Sequence, residues 1–192
     1  FLYMATPVRF KAKSPQSFSS PLVSAFTVSL SSDVRYALLG GNQNSAWLID
    51  LTTGNVVQRF STPSKSVSSV DLTPDGKTAV ICEADGNIRL WNTKDGSKIA
   101  SYSIYTKIGD PDAAGLKIAR YRLALSPDAS KLLLYDRHSG LYLLDSRSGK
   151  KIKILYESSA EEIPWFDFSP QKDEFYAYDE KRASIDLFNL VG

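Results

Sequence analysis

One phrase is written four times along this chain, and a fixed repeat constrains a fold more than any other feature of a single sequence. The copies are Val28-Ser-Leu-Ser-Ser-Asp33, Val70-Asp-Leu-Thr-Pro-Asp-Gly76, Leu123-Ala-Leu-Ser-Pro-Asp128 and Phe166-Asp-Phe-Ser-Pro-Gln171. Each leads to a second apolar run, a polar turn, and a third run ending in Asp50, Asn92, Asp145 or Asn189. A glycine then follows, at Gly54, Gly96, Gly149 and Gly192. Ser31, Thr73, Ser126 and Ser169 stand 42, 53 and 43 residues apart, and the four glycines repeat the same intervals. Two independent landmarks therefore define one register. The long middle interval carries an insertion at 106–117.

Within each copy the apolar period is two, not 3.6. Val67-Ser-Ser-Val-Asp-Leu72 and Asn87-Ile-Arg-Leu-Trp91 alternate or nearly so, as half-buried strands do. Pro74-Asp75-Gly76 is a turn with a mechanism, Pro presetting φ and Gly tolerating a positive one. Asp85-Gly86 between two strand-like runs is a hairpin signal, and Thr53-Gly54, Asp95-Gly96 and Ser148-Gly149 add more. No segment reads as a helix; 158–162 offers at most one turn. Each copy thus holds four short strands, a to d, which in the second copy span about 67–72, 77–83, 87–92 and 97–104. A repeated four-stranded antiparallel unit of ~40–45 residues predicts an all-β chain of β-propeller blades. Blades stack face to face and bury both sheet faces, which accounts for the unbroken apolar run Leu132-Leu-Leu134. The expected blades cover 21–62, 63–105, 118–157 and 162–192, with residues 1–20 as an N-terminal strand completing a blade.

These residues resemble the WD-repeat (WD40) β-propeller family over roughly 21–192. The best match runs from Leu72 to Asn92, where Asp85-Gly86 stands at the family's b–c turn and Trp91-Asn92 at its Trp-Asp pair. The family often adds a Gly-His pair before strand a, and its His joins a hydrogen-bonded network with the turn Asp and the strand-c Trp. No Gly-His occurs here, and Ile49, Leu144 and Phe188 replace the strand-c Trp in three copies. The resemblance is thus to a divergent member, held together by apolar packing more than by that network.

The fourth copy stops at Gly192, before a strand d, while Val8-Arg-Phe-Lys-Ala-Lys13 near the start is similar to strand d of the first copy, Val57-Gln-Arg-Phe60. Three arrangements follow. The terminal strand closes a four-bladed ring; the four blades are part of a seven- or eight-bladed ring; or two chains pair as half-rings.

Charge narrows the partners. Twenty-three basic and 21 acidic residues leave a net charge of +2, too balanced to point to nucleic acid. Lys150-Lys151-Ile-Lys153 reads as lysines blunting an edge strand. The single Cys82 sits in an apolar run and reads as a buried thiol. No apolar stretch reaches the ~20 residues of a membrane-spanning helix. The compartment stays open between cytoplasm and periplasm.

Chemistry-bearing clusters are sparse. Asp110 and Asp112 provide too few oxygens for calcium, and one His with one Cys makes no zinc site. Asp136-Arg137-His138 lies in a turn with no nucleophile elbow in the chain. Gly40-Gly41-Asn42 lacks the lysine and helix of a phosphate loop. No catalytic, cofactor or metal residue is therefore assigned. The a-strand segments expected at the axis carry only Asp71 and Asp167 as acids.

What remains is surface. In propellers of this kind the d–a and b–c connections share one face. That face would gather Tyr105, Lys107, Asp110, Asp112 and Trp165 from d–a connections. It would also gather Arg137, His138, Lys181 and Arg182 from b–c turns, beside Asn42, Gln43, Asn44 and Glu180. Arginine with aromatic neighbours is the composition of a binding hot spot. The expected function is a non-catalytic protein-interaction scaffold whose partner is a protein, another propeller fragment or a second copy. Two alternatives are a small-molecule or enzyme site at the axis, and a structural subunit whose open blade edge another chain completes.

Overall fold

The computed structural model describes residues 25–64, 66–104, 121–136, 140–157, 165–169, 174–179 and 183–190. Every regular element among them is a strand. Blade 1 is β1 (Ala25–Leu30), β2 (Tyr36–Gly41), β3 (Ser45–Asp50) and β4 (Asn55–Ser61). Blade 2 is β5 (Val67–Leu72), β6 (Thr78–Glu83), β7 (Asn87–Asn92) and β8 (Lys98–Ser103). Blade 3 is β9 (Arg122–Leu125), β10 (Lys131–Asp136), β11 (Gly140–Asp145) and β12 (Lys151–Glu157). Blade 4 has three described strands, β13 (Phe166–Phe168), β14 (Glu174–Asp179) and β15 (Ser184–Asn189). Each sheet is an antiparallel meander in chain order, so the fold is an all-β propeller array. Segment 8–13 lies outside the described residues.

The repeated phrase turns out to be a hydrogen-bonded turn joining strands a and b. Ser31 Oγ donates to Asp33 (2.6 Å), Thr73 Oγ1 to Asp75 (2.8 Å) and Ser126 Oγ to Asp128 (2.6 Å). The same hydroxyls accept the backbone N–H of Tyr36, Thr78 and Lys131 at 2.8–3.0 Å. The three aspartates accept the N–H of Arg35, Lys77 and Ser130, each at 3.0 Å. Ser31, Thr73 and Ser126 are buried, so their polar atoms require these partners. The bonds to the ionised carboxylates hold Asp33, Asp75 and Asp128 below the usual aspartate range.

Three apolar layers fill the gaps between successive blades. Leu38, Leu48 and Phe60 of blade 1 meet Leu72, Ala79 and Ile81 of blade 2. Val80, Cys82 and Leu90 then meet Leu123, Leu132 and Leu134. Leu133, Leu141 and Leu143 meet Phe166, Phe168 and Phe175. Because strands alternate, odd and even residues of blades 2 and 3 serve opposite layers. That is why Leu132, Leu133 and Leu134 are all fully buried. Cys82 is a buried free thiol, and burial pushes its pKa well up. Lys150, Lys151 and Lys153 are exposed along the outer strand of blade 3. Trp91 packs on Phe60 with ring centroids 5.5 Å apart, and its buried Nε1 has no hydrogen-bond partner. The indole works here as apolar filler, as expected without the Gly-His pair.

Candidate functional site

Strand a of each blade is innermost, and the four line an axial cleft of about 1490 Å³. Its walls are Phe26–Leu30, Ser66–Leu72, Tyr121–Leu125 and Trp165–Phe168. Asn42 and Ala84, from the b–c turns, share the mouth at which strands a begin. The opposite mouth is edged by Ser32, Pro74 and Pro127.

Strand a has one edge without a neighbour in its own sheet. Alternate N–H groups therefore point off that edge and need other acceptors. The preceding blade supplies them. Thr27 Oγ1 accepts from Val70 N (3.2 Å) and Ser29 Oγ from Leu72 N (3.1 Å). One blade on, Ser69 Oγ accepts from Leu123 N (3.3 Å) and Asp71 Oδ2 from Leu125 N (2.7 Å). Ser68 Oγ also bonds Tyr121 N–H, at 3.1 Å. These side chains pin successive blades together at the axis.

Asp71 is the centre of this arrangement. Oδ1 accepts from Ser29 Oγ (2.7 Å) and Leu72 N (2.8 Å), while Oδ2 holds Leu125 N. One carboxylate thus ties three blades. The residue is half-buried on the cleft wall. Desolvation raises its pKa from the ordinary 3.8 to about 6, against the pull of its three donors.

In blade 3 the equivalent positions are Arg122 and Ala124, and the pattern changes. The Arg122 guanidinium lies 4.1 Å from the Trp165 ring centroid and 5.7 Å from that of Phe166, a cation–π stack. Trp165 is nonetheless 65% exposed. Asp167 occupies the place in blade 4 that Asp71 holds in blade 2. Its Oδ1 accepts from Phe168 N at 2.8 Å. Desolvation raises its pKa, and the Arg122 charge acts the other way.

The sequence-derived surface residues fare unequally. Trp165 stands at the cleft mouth, stacked against Arg122. Tyr105, Lys107, Asp110, Asp112, Arg137, His138, Lys181 and Arg182 lie outside the described residues. Asp71 and Asp167 do face the axis, but Asp71 has both oxygens committed to structural donors. Thr27, Ser29, Ser68 and Ser69 were not anticipated. Their signal was the repeat register itself: Thr27 and Ser69, like Ser29 and Asp71, stand 42 residues apart. Among the described residues no three His, Cys, Asp or Glu side chains converge to hold a metal ion.

Fold and pins define the class: the chain is a four-repeat β-propeller array of WD40-like fold. No family model matches it. It is 33% identical over 69 residues to pre-mRNA-processing factor 19 of Caenorhabditis elegans, which is 36% of this chain and 14% of that protein. Its backbone resembles the crystal structure of the Cps50 (Swd1) β-propeller domain of Myceliophteria thermophila, with a TM-score of 0.61 at 13% identity. That match covers 86% of this chain and 53% of the other. The chain thus spans about half of that solved structure and a small part of the curated relative.

Proposed function

We propose that this propeller array is a non-catalytic scaffold that holds a protein partner at the cleft mouth around Trp165. The observation that carries this reading is the Arg122–Trp165 stack. An indole held rigid by a guanidinium, yet two-thirds exposed, has little conformational entropy left to lose on binding. Phe26 is also exposed on the cleft wall, and the pair offers two aromatic anchors. The proposal extends to the 106–117 insertion and to Arg137, His138, Lys181 and Arg182, which the repeat register assigns to d–a and b–c connections. An axial active site is the weaker reading, because Asp71 is spent on interblade bonds and no His or Lys lines the cleft among the described residues.

The test is a peptide-display selection against the purified chain, followed by affinities for Trp165→Ala. Selected peptides should bind this variant at least about tenfold more weakly, the loss typical of a hot-spot aromatic. The melting temperature should stay within about 2 °C, since an exposed side chain contributes little to the core. Peptides whose affinity is indifferent to Trp165→Ala would place the interaction elsewhere and overturn the reading.

A further inference from the structure

Three arginines among the described residues stack on aromatic rings. Arg35 lies 5.1 Å from the Tyr36 ring centroid and gives its Nε–H to Asp50 at 3.3 Å. Arg59 lies 5.0 Å from the Trp47 centroid and gives its Nε–H to Ser45 Oγ at 2.8 Å. Arg122 lies closer to its ring than either, 4.1 Å from the Trp165 centroid. Yet among the described residues no hydrogen bond or ion pair takes its donors. A guanidinium stacked by its face keeps its N–H fork in its own plane, open to an acceptor. Arg122 is half-buried, and desolvation lowers its pKa. It has given up water without gaining a bonded partner, which is costly for a cation. The Asp167 charge acts the other way, but from beyond ion-pair distance.

The gap between blades 3 and 4 is short of acceptors for a second reason. In the two gaps before it, Thr27 and Ser69 accept the N–H of Val70 and Leu123. The register equivalents here are Arg122 and Phe166, and a guanidinium accepts nothing. Because Ser169 N–H bonds Glu174, ladder alternation turns the Phe166 N–H off the free edge of β13. It has no acceptor among the described residues. Donors thus collect where the other gaps hold an acceptor. Charge is layered along the strands as well. Asp71 and Asp167 stand two residues deeper than the Arg122 position, about 6–7 Å along strand a. Arg122 is the single cation on the cleft wall among the described residues.

On the reading that the cleft mouth holds a protein partner, we infer that the segment bound there carries an Asp or Glu whose side-chain carboxylate takes the N–H fork of Arg122. A carboxylate matches that fork bidentately. One cation with Asp167 behind it suits a single negative charge. A phosphoryl group, at about −1.5 to −2, would leave charge uncompensated. Phe26 and Trp165 stand on different blades of the cleft wall. A segment that touches both runs on past Arg122, so the carboxylate belongs to a side chain and not to a chain terminus.

The test uses linear peptides selected by display on the full chain, synthesised with free and with amidated C-termini. Peptides that lose affinity on Trp165→Ala should share an Asp or Glu. Exchanging that residue for Asn or Gln should weaken binding to the wild type at least about tenfold, and to Arg122→Gln less than about twofold. The ratio within each protein is what is read, so a Trp165 side chain loosened by Arg122→Gln affects both peptides alike. Trp165-dependent peptides without an acidic residue would overturn the inference and leave the aromatic reading standing. So would an exchange that costs as much in Arg122→Gln as in the wild type. Tighter binding when phosphoserine replaces the acid would overturn it too, as would peptides that bind only with a free C-terminal carboxylate. Peptides indifferent to Trp165→Ala would instead overturn the reading of the mouth, and the inference with it.

Discussion

Replacing Asp71 by Asn isolates the energetic cost of the axial pin. The Asp71 pKa rises from 3.8 to about 6 on folding, chiefly through desolvation. A group whose pKa rises on folding binds its proton more tightly in the folded state. Its stabilising contribution is fully present below about pH 4 and is lost as pH rises through about 6. The rise corresponds to ~3 kcal/mol at 1.36 kcal/mol per pH unit. Water in the adjoining cleft screens the charge, so about 1–3 kcal/mol is expected. The carboxylates with lowered pKa, such as Asp33 and Asp128, act with the opposite sign. Only the difference between wild type and variant therefore reports on Asp71.

Asn is isosteric with the protonated acid and does not titrate. At pH 7 it removes the buried charge but turns an amide N–H₂ toward one donor, an orphaned bond worth about 1–3 kcal/mol. The two effects nearly cancel, and Asp71→Asn should be close to neutral. At pH 4.5 the wild type has regained its proton, and the variant should be less stable by about 1–3 kcal/mol. For a chain of this size that is roughly a 2–10 °C gap in melting temperature. Urea or thermal unfolding at half-unit steps from pH 4.5 to 7.5 reads the gap directly. Parallel stability curves for the two proteins would refute the reasoning, because they would mean that Asp71 titrates alike in both states.

Three further outcomes follow from the turns. Val34 holds φ 56° where the second blade has Gly76, a costly conformation for a β-branched residue; Val34→Gly should raise stability by about 1 kcal/mol in urea melts. Gly149 has φ 67° and a Cβ there would meet the Tyr102 ring at 2.4 Å; Gly149→Ala should cost about 2 kcal/mol or more, read as a fall in melting temperature. Ser126→Ala removes the acceptor for Lys131 N–H and the donor to Asp128; a loss of about 1–3 kcal/mol is expected in the same assay.

How much of this was legible beforehand depends on where the physical cause lies. Strand positions and a–b turns were readable because their causes are local. The Ser-x-Asp phrase closes its own hydrogen bonds within five residues, so its copies look alike in sequence. The second blade's strands fall within a residue or two of the reading from periodicity. The pins were not readable by the same means. A hydroxyl alternating with apolar residues on a strand looks like a solvent face, and Thr27, Ser29 and Ser69 have that look. Their partners are N–H groups 43 to 54 residues away. Only aligning the copies column by column brings Ser29 over Asp71 and Thr27 over Ser69. The same columns show where the pattern breaks, at Arg122 and Ala124.

That break has a physical consequence at the cleft mouth. Where hydroxyl and carboxylate give way to Arg and Ala, blade 4 is held to blade 3 by stacking and apolar contact instead. Leu133, Leu141 and Leu143 of blade 3 pack on Phe166, Phe168 and Phe175 of blade 4, and the Tyr156 ring meets Phe188 edge to face at 6.1 Å. Tyr156 also donates to Asp186 across the two blades. Arg122, released from pinning, is free to hold Trp165 out at the cleft mouth. A change at Arg122 should therefore disturb the surface at Trp165.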